Sequence, residues 1–567
     1  MRINLLSSFQ PTLFKTLKSY NKEKFMADLM SGLIVGVVAL PLAIAFGIAS
    51  GVSPEKGIYT AIIAGFIISF LGGSTVQIGG PTGAFIVIVY GIVEQYGVQG
   101  LAIATVMAGL MLVLMGFMKL GSIIKFVPYP IVVGFTSGIA LTIFSTQIKD
   151  FFGLNTPKLP SGFIEKWIIY FQNFDSVNWW VTLIAIISVT IIVITPKFSR
   201  KVPGSLVSII VMTIGVYFLN KYTGIIGIDT IGDRFNIQSQ LPEIKQIPLS
   251  LESIRLLFPA AFTITILSAI ESLLSATVAD GVTGDKHNSN MELIAQGAAN
   301  IITPFFGGIP ATGAIARTMT NINNGGRTPV AGIIHAIVLL LIVLFLGDLT
   351  KHIPMACLAG ILVVVSYNMS EWRTFISLIK QSVATRAILL TTFLLTVVFD
   401  LTVAITVGMV LAIFAFLKRI NESTEVSHST GKLDLSLDNE TQSSEKEDEF
   451  LQLPDTVEVY EINGPFFFGV ANKFDEKMRL SRKHHVIRII RMRKVPFIDA
   501  TGLNNLEILC RNSKKEKIQI ILSGVNSEVR EKIERSEIPS LIGKENICSN
   551  ILLAVNRAKE IEAITKA

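Results

Sequence analysis

The sequence predicts an α-helical polytopic membrane domain of two inverted halves, seven segments each, with two half-helices meeting near the bilayer midplane. A small cytosolic α/β domain follows it. Three observations lead there. From Asp28 to about Lys418 the chain is mostly long apolar runs, whereas Asn421 to Ala567 has the mixture of a soluble protein. The basic residues between the apolar runs fall on one side of the bundle. A Gly- and Pro-rich motif occurs twice, 230 residues apart, in short segments of the two halves.

Composition sets the limits. The 567 residues are 50% hydrophobic and 16% charged, with mean hydropathy +0.58, where a soluble chain would carry about 25% charge. The net charge of +7 sits beside the apolar runs, as topology determinants do, which argues against nucleic acid as a partner. The 3 cysteines, Cys357, Cys510 and Cys548, have neither metal nor redox spacing. The 6 histidines are scattered, and no nucleophile elbow or phosphate loop occurs. No cofactor, no metal and no enzymatic activity are expected. Residues 1–27 lack an apolar run followed by a small-residue cleavage site and read as a cytosolic N-terminal segment.

A helix needs about 20 apolar residues to span a bilayer, fewer where it is broken. Segments are expected at 28–50, 57–72, 80–95, 100–118, 122–146, 178–196, 203–220, 256–279, 290–305, 311–324, 328–347, 353–368, 384–400 and 401–418. Together they form a transport domain over 28–418. Lys15, Lys18, Lys22 and Lys24 precede the first. Lys119 and Lys125, Lys197, Arg200 and Lys201, Arg327, then Arg373, Lys380 and Arg386 fall in alternate loops, and Lys418 and Arg419 follow the last. All lie on the side of the N-terminus, so both termini are expected in the cytoplasm and the loops 147–177 and 221–255 outside.

The repeated motif is Gly79-Gly80-Pro81-Thr82-Gly83-Ala84-Phe85 in segment three and Gly307-Gly308-Ile309-Pro310-Ala311-Thr312-Gly313-Ala314-Ile315 in segment ten. An odd number of crossings per half inverts the second repeat. Non-helical backbone at membrane depth is tolerated only where protein or water covers it, and Pro suits a first helical turn. Each motif therefore reads as an extended stretch leading into a half-helix. Two helix N-termini converging with free N–H donors make an anion site. Kinks or tight helix contacts are the alternative reading of the same residues.

Two intramembrane charges stand out. Glu271 interrupts the apolar run Phe262–Ala279, and Arg317 lies one turn into the second half-helix. Ionised groups at that depth are costly unless paired or hydrated. One reading is a structural pair that fixes helix register. The other gives Arg317 to the anion site and makes Glu271 the proton-coupling group, since a carboxylate amid Leu267, Ala269, Ile270, Leu273 and Leu274 calls for a companion cation or proton.

Beyond the bundle, residues 419–453 are charged and Ser-rich and read as a solvated linker. Over 454–567, strands are expected at Thr456–Ile462, Pro465–Val470, His485–Met492 and Lys517–Ser523. Helices are expected at Asn472–Ser481, Thr501–Asn512, Ser527–Glu534 and Asn550–Ile564. The alternation predicts a small α/β layer.

Several stretches resemble the SulP family of anion transporters, whose animal members include the prestin-like proteins. Asp28–Gly51 resembles its first span and Val76–Phe85 its third. Ala279-Asp280, Asp285–Leu293 and Gln296-Gly297 resemble the join of its eighth and ninth. Thr318–Gly332 resembles the end of its tenth and the start of its eleventh. The tail resembles the STAS domain that ends most such chains, down to Phe497-Ile498-Asp499-Ala500-Thr501-Gly502. The resemblance implies the uracil-carrier fold with a core moving against a gate in an elevator-like way, a homodimer, and a small-anion substrate. The implied site comprises Leu42 and Phe46, Thr82, Gly83 and Ala84, Glu271 and Ser275, and Ala314, Ile315, Ala316 and Arg317. Sodium-coupled bicarbonate relatives have Asp where Glu271 stands and no Arg where Arg317 stands, and both departures point away from sodium. Thr501 takes the place of a phosphorylatable Ser in stand-alone STAS proteins; filling a first helical turn is its other reading. Secondary transport of sulfate, bicarbonate or a dicarboxylate by proton symport is the expectation. Uncoupled exchange, a channel and sodium-coupled bicarbonate symport are its alternatives.

Overall fold

The computed structural model describes residues 9–122, 127–157, 159–160, 162–198, 203–223, 228–235, 243–244, 246–248, 250–399, 401–434, 450–470 and 486–566. Two compact units divide it, 1–411 and 412–567.

The first unit is helical. A short α1 (Thr12–Thr16) precedes α2 (Lys22–Ala49), α3 (Pro54–Leu71), α4 (Ile86–Phe117), α5 (Tyr129–Phe152), α6 (Phe163–Gln172), α7 (Trp179–Phe198), α8 (Gly204–Thr223) and α9 (Ile231–Arg234). The second half holds α10 (Leu251–Thr283), α11 (Ser289–Ile302), α12 (Ile315–Asn323), α13 (Val330–Thr350), α14 (Met355–Met369), α15 (Trp372–Ile379), α16 (Val383–Val398) and α17 (Leu401–Ser423), the last running into the second unit. Among the described residues nine helices are long and apolar enough to cross a membrane, and two shorter apolar ones accompany them. Every expected segment corresponds to a helix. Segments three and four share α4, which breaks at Gly97, where φ is 68° and ψ −177°.

The boundaries have local causes. Asn21 caps α2 by accepting from the Lys24 amide, and Ser250 and Asn288 cap α10 and α11 in the same way. The fifth span begins at Tyr129 rather than near 122, because Pro128 and Pro130 fit only its cap and first turn. The segment expected as a separate cytosolic 1–27 includes α1 and the first turn of α2. It is tied to the bundle by Thr12, whose N–H donates to Gly72 O at 2.9 Å and whose hydroxyl donates to Gly73 O at 2.8 Å. The amphipathic α6 and α15 lie in stretches expected as loops.

Packing sorts the unit into two groups. The helices α2, α3, α4, α10, α11, α12 and α13 pack on one another, and α5, α7, α8, α14 and α16 form the second set. The buried Asp28 ties α2 to the start of α13: it accepts from the Arg327 and Thr328 amides at 2.9 and 3.2 Å and from the Thr328 and Tyr20 hydroxyls. Gly109 and Gly297 let α4 and α11 touch, since a Cβ on either would lie 2.7 or 2.6 Å from the other's carbonyl oxygen.

The second unit carries a five-stranded sheet. Strands β1 (Gly79–Gly80) and β2 (Thr312–Gly313) belong to the membrane unit. The sheet contains β3 (Glu425–Thr430), β6 (Val457–Asn463), β7 (Ile487–Lys494), β8 (Gln519–Ser523) and β9 (Ile547–Cys548), while β4 (Lys432–Asp434) and β5 (Phe450–Gln452) form a separate pair. The order is β3-β6-β7-β8-β9, antiparallel only at β3. Helices α18 (Ala500–Lys515), α19 (Ser527–Glu534), α20 (Ile538–Ile542) and α21 (Ile551–Lys566) accompany it.

Two expectations are corrected here. Residues 419–453 are not a linker throughout: Glu425–Thr430 pairs along β6, giving the sheet an edge strand, and Lys432–Asp434 pairs with Phe450–Gln452. Val426 is the single apolar residue of Glu425–Thr430, so the sequence there carries no alternating pattern to mark a strand. The strand expected at Pro465–Val470 is a single bridge, Phe466 to Ile498, followed by a helical turn from Phe468. The helix expected at Asn472–Ser481 lies outside the described residues.

Candidate functional site: two half-helices on crossing strands

At the centre of the membrane unit β1 and β2 run antiparallel, Gly79 opposite Gly313 and Gly80 opposite Thr312. A two-fold axis beside Pro81 and Ala311 reproduces this register at the 230-residue offset of the two Thr-Gly-Ala triplets. Two residues per strand cannot hold such a crossing unaided. Buried side chains do it, mostly from the other repeat.

Asn300 is fully buried and treats Ala311 as a strand partner: Oδ1 accepts from its N–H at 2.9 Å and Nδ2 donates to its carbonyl at 2.8 Å. The Thr60 hydroxyl accepts from the Ile309 amide at 2.8 Å. Ser272 Oγ accepts from Gly313 N at 3.1 Å and bonds the Thr312 hydroxyl at 2.5 Å. On the other strand, Gln77 Nε2 donates to Ser272 O at 3.1 Å, the Ile78 amide donates to Thr318 Oγ1 at 3.1 Å, and Asn321 Nδ2 donates to Val76 O at 2.8 Å. These bonds give backbone groups of Val76, Ile78, Ile309, Ala311 and Gly313 the partners a helix would have supplied.

From this crossing the half-helices depart. Thr82 precedes a short 3₁₀ turn, Gly83–Phe85, which feeds α4; Ala314 caps α12. First-turn amides have no intrahelical partner, which leaves Gly83, Ala84, Ile315 and Ala316 as donors. Ala314 is different: its amide donates to Ile78 O at 2.9 Å, so it is spent on the strand crossing. The Thr82 hydroxyl is buried without a partner. Leu42 is half-buried and Phe46 is 6% exposed on one face of α2. Met369, at the end of α14, covers Gly83: its sulfur lies 2.9 Å from where a Cβ on that glycine would stand.

The charges sit differently from the simplest sequence reading. Arg317 is 2% exposed and two of its nitrogens, Nη1 and Nη2, have no partner. Its guanidinium lies against Gly80, where φ is 151° and an added Cβ would approach Nη1 to 2.2 Å; only glycine fits both the conformation and the space. Glu271 is buried in α10. It forms no ion pair with Arg317, so the structural-pair reading fails. The charged group near enough to act on it is Glu371, in the turn between α14 and α15. The Ser275 hydroxyl donates to Thr318 Oγ1 at 3.4 Å. Ala316 is exposed.

Sequence reading overlooked the supporting residues Asn300, Ser272, Gln77, Asn321 and Thr60, together with Glu371 and Met369. A signal existed for one of them: Ser268, Ser272 and Ser275 recur at helical spacing in an apolar run. In the second unit Asp499 caps α18, accepting from the Gly502 amide at 2.7 Å, and Thr501 is exposed in its first turn.

Inverted repeats whose half-helices start from crossing strands, held in one helix group facing another, define a multi-pass membrane carrier. The chain belongs to the sulfate permease family: residues 25–392 match that family and residues 451–554 match the STAS domain. It is 41% identical over 532 residues to the "Putative sulfate transporter YvdB" of Bacillus subtilis (strain 168), covering 93% of this chain and 97% of that one. The murine Slc26a9 anion transporter in its inward-facing state superposes with a TM-score of 0.86 at 18% identity, covering 99% of this chain and 95% of its own. The transmembrane domain of a cyanobacterial bicarbonate transporter, BicA, gives 0.60 at 30% identity over 70% of this chain and 98% of its own. The fold is the seven-plus-seven inverted repeat.

Proposed function

We propose that this protein carries a small oxyanion of the sulfate, bicarbonate or dicarboxylate class into the cell by proton symport. The core group of helices moves against the gate group, and the working assembly is a homodimer. The observation that carries the reading is the set of unmet donors around the strand crossing. These are the unpartnered Thr82 hydroxyl and the unpartnered Arg317 nitrogens behind Gly80, together with the first-turn amides of Gly83, Ala84, Ile315 and Ala316, which a helix start leaves without intrahelical partners. An anion there answers all of them, with Leu42, Phe46 and Ser275 lining its flank. The names of YvdB and BicA support the oxyanion class.

Glu271 takes the proton. With no cation paired to it, and Glu371 as its charged neighbour, a second negative charge arriving at the crossing favours proton uptake by Coulomb repulsion alone. Anion and proton then raise each other's affinity by the same factor, and the loaded core moves with its charge partly cancelled.

The test is uptake of radiolabelled sulfate and bicarbonate into proteoliposomes, inside alkaline, for the wild type and Glu271→Gln. The wild type accumulates anion uphill, and the variant exchanges anion but never concentrates it. Uphill accumulation by the variant, or a wild type that follows sodium and ignores pH, refutes the reading.

A further inference from the structure

Outward of Leu42 and Phe46, a cavity of about 110 Å³ lies between the two helix groups. Ala45 and Ala49 of α2 and Tyr90 of α4 line it from one side, and Gln147 and Asp150 of α5 and Leu358 of α14 from the other. Because α2 enters from the cytoplasmic side, Ala45–Ala49 is its outer end. An ion entering from outside along the boundary between the two groups would meet this cavity.

Into this cavity α6 delivers Lys166, which is 3% exposed. Its ammonium lies 5.1 Å from the centre of the Tyr90 ring, an apolar and weakly attractive neighbour. Among the described residues it makes no ion pair or side-chain hydrogen bond. The acid that lines the same cavity is already taken: Asp150 pairs with Arg234 at 2.7 Å, and Arg234 also holds Asp229 at 2.9 Å. Glu94 and Glu165 attract Lys166 from a distance, but both are exposed and screened by water. Burial pushes the Lys166 pKa down, and those two glutamates pull it back only in part. A buried ammonium without a partner is costly. It persists where something supplies the missing negative charge for part of the cycle.

We propose that Lys166, with Gln147 and Tyr90, forms an outer relay site that receives a small oxyanion before it reaches the crossing strands. The site rests on the transport reading above and adds its external entry point. Asp150, held by Arg234, sets the far wall and keeps the site from becoming a permanent ion trap. The Tyr90 hydroxyl is occupied, donating to Leu159 O at 2.9 Å, so the ring serves as a wall and not as a donor.

Thiol labelling from outside tests it directly, because Cys357, Cys510 and Cys548 are all buried. Ala49→Cys places a reactive group in the cavity. In right-side-out vesicles an anionic and a cationic impermeant thiosulfonate are applied, and the ratio of their rates is read. Unit charges a few ångströms apart in a partly buried site shift such a ratio by about tenfold or more. Adding Lys166→Met should lower the anionic-to-cationic ratio by that factor, and Lys166→Arg should preserve it. External sulfate should slow labelling only when a cation stands at 166. A ratio unchanged by Lys166→Met, or an introduced thiol that is never labelled from outside, overturns the proposal. Uptake of sulfate and bicarbonate by the wild type in the same vesicles keeps the two readings apart. A carrier that moves neither defeats the functional reading whatever the labelling shows.

Discussion

Replacing Asn300 by Leu tests whether the strand crossing is held from behind. The two side chains have similar volume and branching, so the change chiefly removes hydrogen bonds. Asn300 is fully buried and supplies both partners of Ala311, the acceptor for its N–H at 2.9 Å and the donor to its carbonyl at 2.8 Å. Without them two buried backbone groups are left unmet, each at about 1–3 kcal/mol, so the crossing loses about 2–6 kcal/mol in total. The third bond, Nδ2 to Gln296 O, adds little, because that carbonyl is also a helical acceptor. Losing Ala311 frees β2 to shift against β1, which moves Ile315 and Ala316 relative to Gly83. The assay pairs thermal unfolding in detergent with sulfate uptake at low external concentration, and both should fall. A variant that melts within about 1 °C of the wild type and transports normally would refute the claim that side chains behind the strands set the site.

Three further outcomes follow from packing and chemistry. Gly57→Ala should destabilise the bundle by about 1–3 kcal/mol and impair transport, since its Cβ would stand 2.0 Å from the rigid carbonyl oxygen of Ala43, next to Leu42; unchanged melting would count against it. Thr82→Val removes a buried, unpartnered hydroxyl, so stability should hold while the anion KM rises about tenfold, read from uptake curves; an unchanged KM excludes Thr82 from the site. Maleimide at pH 8 should leave the native protein unlabelled and find all 3 thiols after unfolding. Burial pushes the Cys510 thiol up to about 12, so about 0.01% is thiolate at that pH, and reactivity appears only as pH climbs toward that value. Rapid native labelling would contradict the buried positions.

The sequence by itself determined the order of the apolar segments, the duplicated Gly-Pro motif and the α/β tail. These features are written in local composition and periodicity: an apolar run, a basic loop or a Thr-Gly-Ala triplet keeps its meaning wherever the chain goes next. It also singled out Glu271 and Arg317, because a charge in an apolar run is conspicuous on its own. Only the tertiary structure decided what those charges face. Arg317 packs on Gly80, 237 residues earlier in the chain, and Glu271 answers to Glu371 from the opposite helix group, pairings that no local pattern encodes. The same holds for Ala314, whose amide looked free as the residue before a helix and is consumed by Ile78. Glu425–Thr430 read as linker because its single apolar residue, Val426, acquires a face only once β6 lies beside it. Helix capping and hydropathy act within a few residues. Hydrogen-bond satisfaction and charge pairing in a buried site depend on groups brought together from distant parts of the chain, and the tertiary fold alone decides which ones meet.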